Sequence, residues 1–305
     1  MKVKNFLFHR VNDNPDPFWP AMLTSQFKSI LSQIKKSYHV ISTDELLHLK
    51  KHHGGKTLAT ISFDDGYKDN IEYAAPILQH YKMPATFYVV TNCIDNNVPT
   101  WTYDLDYRTY FTKNTIDFSS CNLPESLLHK QRDKNISTVQ FTGALKAYLK
   151  KIDFNKVLEI VKTIEEQTQD IDMPKLMMHW DDIMQLYKSN FIIGSHSHTH
   201  PMLNNITNEN IVRAELVISK TRIEEKINSH ISSIAFPVGG YNETVKTLSA
   251  ETGYTYAMAV EQKSHGENID VYAIPRIELY NEPRWKTFLR MNEVMQRTKK
   301  IVRHG

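Results

Sequence analysis

Cysteine is almost missing from this chain: Cys93 and Cys121 are the only two among 305 residues. That excludes a disulfide framework and a cysteine-built zinc site, and it suits two free thiols in a reducing compartment. Glycine (10) and proline (12) are too sparse for collagen-like or low-complexity sequence. No apolar run approaches the roughly 20 residues of a membrane-spanning helix. The opening stretch MKVKNFLFHRVNDNPDPFWP is broken by His9, Arg10, Asn12 and Asp13 before it can form the apolar segment of a secretion signal, so a cytoplasmic location is expected. An excess of one charge is lacking too. The formal net charge is +3, too mild to imply a nucleic-acid partner. Hydrophobic residues make up 41% of the chain, enough to offset ordering entropy, which excludes disorder for most of it.

Short apolar runs alternate with helical patterns. Strands are predicted at Val3–His9, Tyr38–Ile41, Leu58–Phe63, Ala85–Thr91, Phe191–Ser195, Ile234–Phe236, Tyr254–Val260 and Tyr272–Ile277. Helices are predicted at Phe27–Lys36, Asn70–Tyr81, Asn208–Ile227 and Glu243–Thr252, and Ser42–Leu47 reads as a capped helix start. Alternation of this kind argues for an α/β fold with a parallel sheet or barrel. The rhythm breaks over about 93–178, where helical stretches such as Gly143–Lys151 and Val157–Gln167 replace strands. This reads as a helical insertion between two barrel strands, long enough to be structured and to shape a substrate site. Its aromatic residues Trp101, Tyr103, Tyr107 and Tyr110 could stack on sugar rings or simply pack.

Two clusters carry chemistry. In Thr60-Ile61-Ser62-Phe63-Asp64-Asp65-Gly66-Tyr67 a buried strand ends in adjacent carboxylates. Parallel α/β folds place their sites at such strand ends. Two neighbouring carboxylates are costly unless a cation or proton shares the site, although either could merely cap the next helix. In Gly194-Ser195-His196-Ser197-His198-Thr199-His200-Pro201 a second strand ends in three histidines. His196 and His200 are four apart, so on a helical turn both imidazoles would share one face and reach one ion. With a distant carboxylate they form a two-histidine, one-aspartate set suited to Zn²⁺, Fe²⁺, Co²⁺ or Mn²⁺. A third segment, Ile234 to Tyr241, is a strand followed by a Pro/Gly turn that can offer a backbone N–H to a developing oxyanion.

Taken in order, these segments resemble the polysaccharide deacetylase (NodB-homology) family, carbohydrate esterase family 4. Its TFDDG motif stands here as Ser62-Phe63-Asp64-Asp65-Gly66, and its H-[ST]-x-x-H motif as His196-Ser197-His198-Thr199-His200. Trp180-Asp181-Asp182 followed by Phe191-Ile192-Ile193-Gly194 looks like the family's approach to the second motif. The third motif, Arg-x-Pro-x-Gly, is present in part as Ala235-Phe236-Pro237-Val238-Gly239. The resemblance covers roughly 3–91 and 175–280. It implies a deformed (β/α)7-type barrel forming one catalytic domain over 1–305. It also implies Asp65, His196 and His200 as metal ligands, Asp64 as catalytic base and the Val238 amide as oxyanion donor. The implied cofactor is one divalent metal ion, zinc first, with cobalt, nickel, iron or manganese as alternatives.

There are two departures from the family pattern. Ala235 stands where the family has the arginine that orients the base, and Arg276, in Ile274-Pro275-Arg276-Ile277, is the candidate substitute. The family's late Leu-x-x-His motif is absent, and His9, closing the first strand, is the candidate general acid. Trp101 and Tyr241 are the rings expected against substrate. The expected activity is hydrolysis of an N-acetyl (or O-acetyl) group on a sugar in a polysaccharide, oligosaccharide or glycoconjugate precursor. A deformylase or cyclic-amide hydrolase on the same fold is the alternative, and a non-catalytic carbohydrate-binding protein ranks last. The stretch Arg284–Arg303 has the apolar and basic residues of an amphipathic helix, suited to peripheral contact with an anionic membrane.

Overall fold

The computed structural model describes residues 2–48, 57–266 and 268–294. Eight strands form one sheet: β1 (Val3–Phe8), β2 (Tyr38–Val40), β3 (Thr57–Phe63), β4 (Thr86–Val89), β5 (Ile192–Ser195), β6 (Ser233–Ala235), β7 (Tyr256–Met258) and β8 (Ile277–Glu278). Every pairing is parallel, in the order β7-β6-β5-β4-β3-β1-β8. β2 and β4 share one edge of β3: β2 runs beside Thr57–Ala59 and β4 beside Ser62 and Phe63. The sheet curls until its ends touch at a single parallel bridge, Met258 to Ile274, just ahead of β8. The result is a deformed parallel barrel with surrounding helices, as expected.

Helices connect the strands on the outside: α1 (Thr24–Ser37), α2 (Ala75–Tyr81), α3 (Thr91–Asn96), α4 (Trp101–Phe111), α5 (Glu125–Arg132), α6 (Thr138–Leu149), α7 (Phe154–Gln167), α8 (Trp180–Lys188), α9 (Glu209–Ile227), α10 (Glu243–Glu251) and α11 (Arg284–Met291). Strand alternation sorts the core into two sides. Phe6, Phe8, Ile61, Phe63, Phe87, Val89 and Ile234 pack outward against Phe27, Leu78, Leu216 and Ile223 of the helices. The other parity fills the barrel, where Val3, Leu58, Tyr88, Ala235, Tyr256 and Met258 form a separate cluster. Polar residues share that interior, and each finds a partner: Asn5 binds the Pro275 carbonyl and accepts from Thr60, and Ser233 donates to Tyr88. Helices α4 to α7 form the insertion between β4 and β5. They bury a core of their own around Leu105, Phe141, Leu145, Val157 and Ile160.

Three sequence expectations need correction. Tyr272–Ile277 is not a strand. Asp270 turns the chain there, taking the amides of Tyr272 and Ala273, and Pro275 has no N–H for a ladder. Regular pairing therefore starts only at Ile277. The helix expected from Asn70 opens with a π turn, Asn70–Ala74, because Pro76 lacks the N–H that would bond back to Glu72. Ser42 and Glu45 do pair as a cap, but they open only a single 3₁₀ stretch, Asp44–His48. Of the expected C-terminal helix, α11 lies within the described residues and exposes Trp285 and Phe288, and the basic residues from Arg297 onward lie outside them. Among the described residues no helix is long and apolar enough to cross a membrane. Both cysteines are free thiols, Cys93 buried and Cys121 half-buried.

Candidate active site

The carboxyl ends of β1, β3 and β8, the His196–Pro201 loop after β5 and the turn after β6 face one cleft of about 320 Å³, with α4 and α6 of the insertion as its far wall. Along β3 the alternation sends Leu58, Thr60 and Ser62 inward, so Asp64 points into the barrel mouth. The same alternation would send Asp65 outward. The backbone reverses instead, with φ at 75° for Asp65 and 87° for Gly66, and both carboxylates reach the cleft. The positive φ at Gly66 strains any other residue, and a Cβ there would also crowd Ile94 Cδ1 at 3.1 Å.

Arg276 is fully buried and grips Asp64 with two parallel bonds, Nη1 to Oδ1 and Nη2 to Oδ2, each 2.7 Å. Its Nε donates to the Ala259 carbonyl at 3.2 Å, and its guanidinium lies over the Tyr88 ring, 5.5 Å from the centroid. Tyr88 fits there because β5 carries Gly194 opposite, where a Cβ would come within 2.4 Å of the ring. Burial alone would raise the Asp64 carboxyl. The Arg276 guanidinium overrides that and holds it below the ordinary carboxylate range. Asp64 is therefore ionised at neutral pH. Replacing Arg276 by Met should strand that buried charge and destabilise the metal-free protein by about 3 kcal/mol in urea unfolding. Lysine, lacking the two-pronged fork, should restore less than half of the loss.

The histidine loop is built differently from the helical turn expected. Ser197 and His200 both take left-handed φ values of 64°, and no helix forms. Glu215 of α9 holds the loop instead. One oxygen accepts the amides of His198 and Thr199 (2.9 and 2.8 Å), and the other accepts the Thr199 hydroxyl at 2.6 Å. The Trp101 indole donates to the His200 carbonyl at 2.9 Å. The two imidazoles still converge, with ring centroids 5.0 Å apart.

His196 Nδ1 bonds the Ala235 carbonyl at 2.8 Å, which fixes the proton there and leaves the Nε2 lone pair facing the cleft. Burial pushes its pKa down to about 4, so it is neutral at pH 7. The Asp65 carboxyl is raised by burial but lowered more by the adjacent His200 imidazole, ending below its ordinary value. Asp65 Oδ1 lies 3.5 Å from His196 Nε2 and 3.3 Å from His200 Nε2, yet it has no hydrogen-bond partner among the described residues. His196 Nε2, His200 Nε2 and the Asp65 carboxylate oxygen thus face one point at short range, and His200 Nδ1 has no hydrogen-bond partner among the described residues. Bonds of about 2.0–2.1 Å to a tetrahedral ion set ligand atoms about 3.3 Å apart. Asp65, His196 and His200 are all buried, and their facing atoms lie within 4.8 Å of one another, so this group fits one metal ion.

The remaining expected residues divide. His9 lines the cleft, its Nδ1 3.6 Å from Glu278 Oε1, and Val238 sits on the rim in a left-handed conformation (φ 56°). Trp101 and Tyr241 do not line it. Trp101 is buried with the insertion core, and Tyr241 stacks on Phe236 and bonds Glu261. Trp19, Tyr103 and Tyr280 are the aromatic side chains that line the cleft instead. Sequence reading missed Glu278 and Glu215. Glu278 shares the strand parity of Arg276 two residues before it, and Glu215 is a carboxylate on the apolar face of α9 between Val212 and Leu216. Both positions carried a signal.

Charged and imidazole side chains gathered at the carboxyl ends of parallel strands are the arrangement that α/β-barrel enzymes use for their sites. The chain belongs to the polysaccharide deacetylase family, whose sequence model matches residues 51–257. Among solved structures it is similar in fold to the deacetylase PplD of Streptococcus pyogenes, solved in complex with acetate (14% identity, 95% of this chain and 98% of that one covered, TM-score 0.63). A de-N-acetylase from Aggregatibacter actinomycetemcomitans (15% identity, 95% and 100% covered, TM-score 0.60) and IcaB from Ammonifex degensii (13% identity, 94% and 95% covered, TM-score 0.60) share the fold as well. No curated protein matches the chain by sequence.

Proposed function

We propose that the protein removes N-acetyl (or O-acetyl) groups from a sugar, using one divalent cation held by Asp65, His196 and His200. The observation that carries this reading is that buried, convergent cluster of one carboxylate and two imidazoles beside an aspartate held ionised by Arg276. A cation there, zinc being the first choice for two imidazoles and a carboxylate, supplies Lewis-acid polarisation of the acetyl carbonyl and acidifies a water.

The chain's own residues supply the rest. Asp64 accepts the proton of the attacking water, and Arg276 keeps the carboxylate aimed and charged until it does. The Val238 amide, on the far rim, donates to the acetyl oxygen as negative charge builds. His9 gives a proton to the departing nitrogen, since an unprotonated amine leaves very poorly. β1 lies between β3 and β8, so His9 flanks Asp64, and Glu278 from β8 orients its ring.

Acetate release from N-acetylglucosamine oligomers tests the proposal. Exhaustive chelation should cut the rate at least about 100-fold, and stoichiometric Zn²⁺ or Co²⁺ should restore it. Undiminished release by thoroughly demetallated protein would sink it, and release of formate rather than acetate from amide substrates would move the activity to another amide hydrolase.

A further inference from the structure

Four carboxylates line the cleft, and each is matched: Asp64 by Arg276, Asp106 by Lys146, Glu278 by His9 and the Tyr280 hydroxyl, and Asp65 by its place among the metal ligands. One lining charge is left over. Lys150 is half-buried, and among the described residues its ammonium has neither an ion pair nor a hydrogen bond. It stands one helical turn beyond Lys146, at the end of α6, so both side chains project from the same face into the cleft. The position is fixed rather than loose, because Asn205, in the segment following the histidine loop, donates to the Lys150 and Ile152 carbonyls at 3.0 and 3.1 Å. Burial and the neighbouring Lys146 work against its charge, and the more distant Glu278, Asp106 and Asp65 offset them only in part. A half-buried lysine beside another cation, with every nearby carboxylate already engaged and none in direct contact with it, has room for an anion from outside the chain.

We infer that the cleft wall opposite the metal cluster is an anion subsite, and that the acetylated sugar carries a phosphate or carboxylate which pairs with Lys150. This inference rests on the deacetylase reading above and narrows its substrate to an anionic amino sugar. Lys146, held by Asp106, contributes a secondary field rather than the primary contact.

The test compares kcat/KM of the metal-loaded protein on neutral N-acetylglucosamine, its 1-phosphate, its 6-phosphate and N-acetylmuramic acid. At least one anionic sugar should be preferred over the neutral one, and which one wins separates phosphate from carboxylate. Lys150→Gln should lower the anionic-to-neutral ratio about 30-fold, as loss of a charged hydrogen bond does. Lys150→Arg should keep most of the ratio, and raising salt should erode it. Deacetylation of all four sugars with no anionic preference overturns the subsite and leaves the function standing. So does a Lys150→Gln protein that merely melts earlier while keeping the ratio, which would assign Lys150 to the helix end. If no sugar is deacetylated, calorimetry with N-acetylglucosamine 1-phosphate and 6-phosphate decides. Binding that Lys150→Gln abolishes keeps the subsite and removes the function, and no binding removes both.

Discussion

Asp64→Asn should lower kcat for acetate release by about 10³-fold, within the range general-base removal costs, while the protein keeps its metal. The substitution is nearly isosteric and leaves an acceptor for one prong of Arg276, but it cannot take a proton from water. The proposed metal ligands stand apart from it: Asp64 Oδ2 is 3.7 Å from His196 Nε2, whereas Asp65 is the carboxylate nearest both imidazoles. Turnover and metal content measured on the same sample therefore separate the two aspartates. Near-wild-type turnover in Asp64→Asn would remove the base assignment, and loss of metal would make Asp64 a ligand. Circular dichroism is needed alongside, because Arg276 also loses its counter-charge.

His196→Ala should abolish both binding and catalysis. Its ring is fixed from behind by the Ala235 carbonyl, and its loss leaves one imidazole and one carboxylate in the cluster. For wild type, metal supplied at 100 times its Kd should stabilise the fold by about 2.7 kcal/mol by mass action. For His196→Ala the same addition should shift nothing. A variant that still gains stability from metal would mean that Asp65 and His200 suffice, or that the ion binds elsewhere.

The parts of this site legible in the sequence were those encoded locally. A strand's alternation and its end are written in consecutive residues, so the Asp64-Asp65 and His196–His200 segments could be placed at a barrel mouth from their own neighbourhoods. What resisted reading was set by the chain's tertiary path. Arg276 was expected as the partner of Asp64 through the family resemblance alone; its reach across 212 positions depends on β8 lying beside β1, and β1 beside β3. The histidines converge through two left-handed residues and the Glu215 carboxylate, not through helical spacing. Trp101 was read as a surface for sugar because aromatic residues look alike in sequence whether they face solvent or the loop beneath, and its indole serves the His200 backbone. The insertion was legible as helices, but not the face that α6 turns toward the cleft.

The bidentate grip on Asp64 has a bearing on biosynthesis. The aspartate leaves the ribosome early, and its guanidinium partner emerges more than two hundred residues later, between the bridge that closes the ring and β8. A nascent chain halted anywhere in between holds a carboxylate with no counter-charge at the mouth of an open sheet. If Asp64 is the base proposed above, its ionised form is secured only when this last segment is in place, and hydrolytic activity would report completed folding rather than partial assembly.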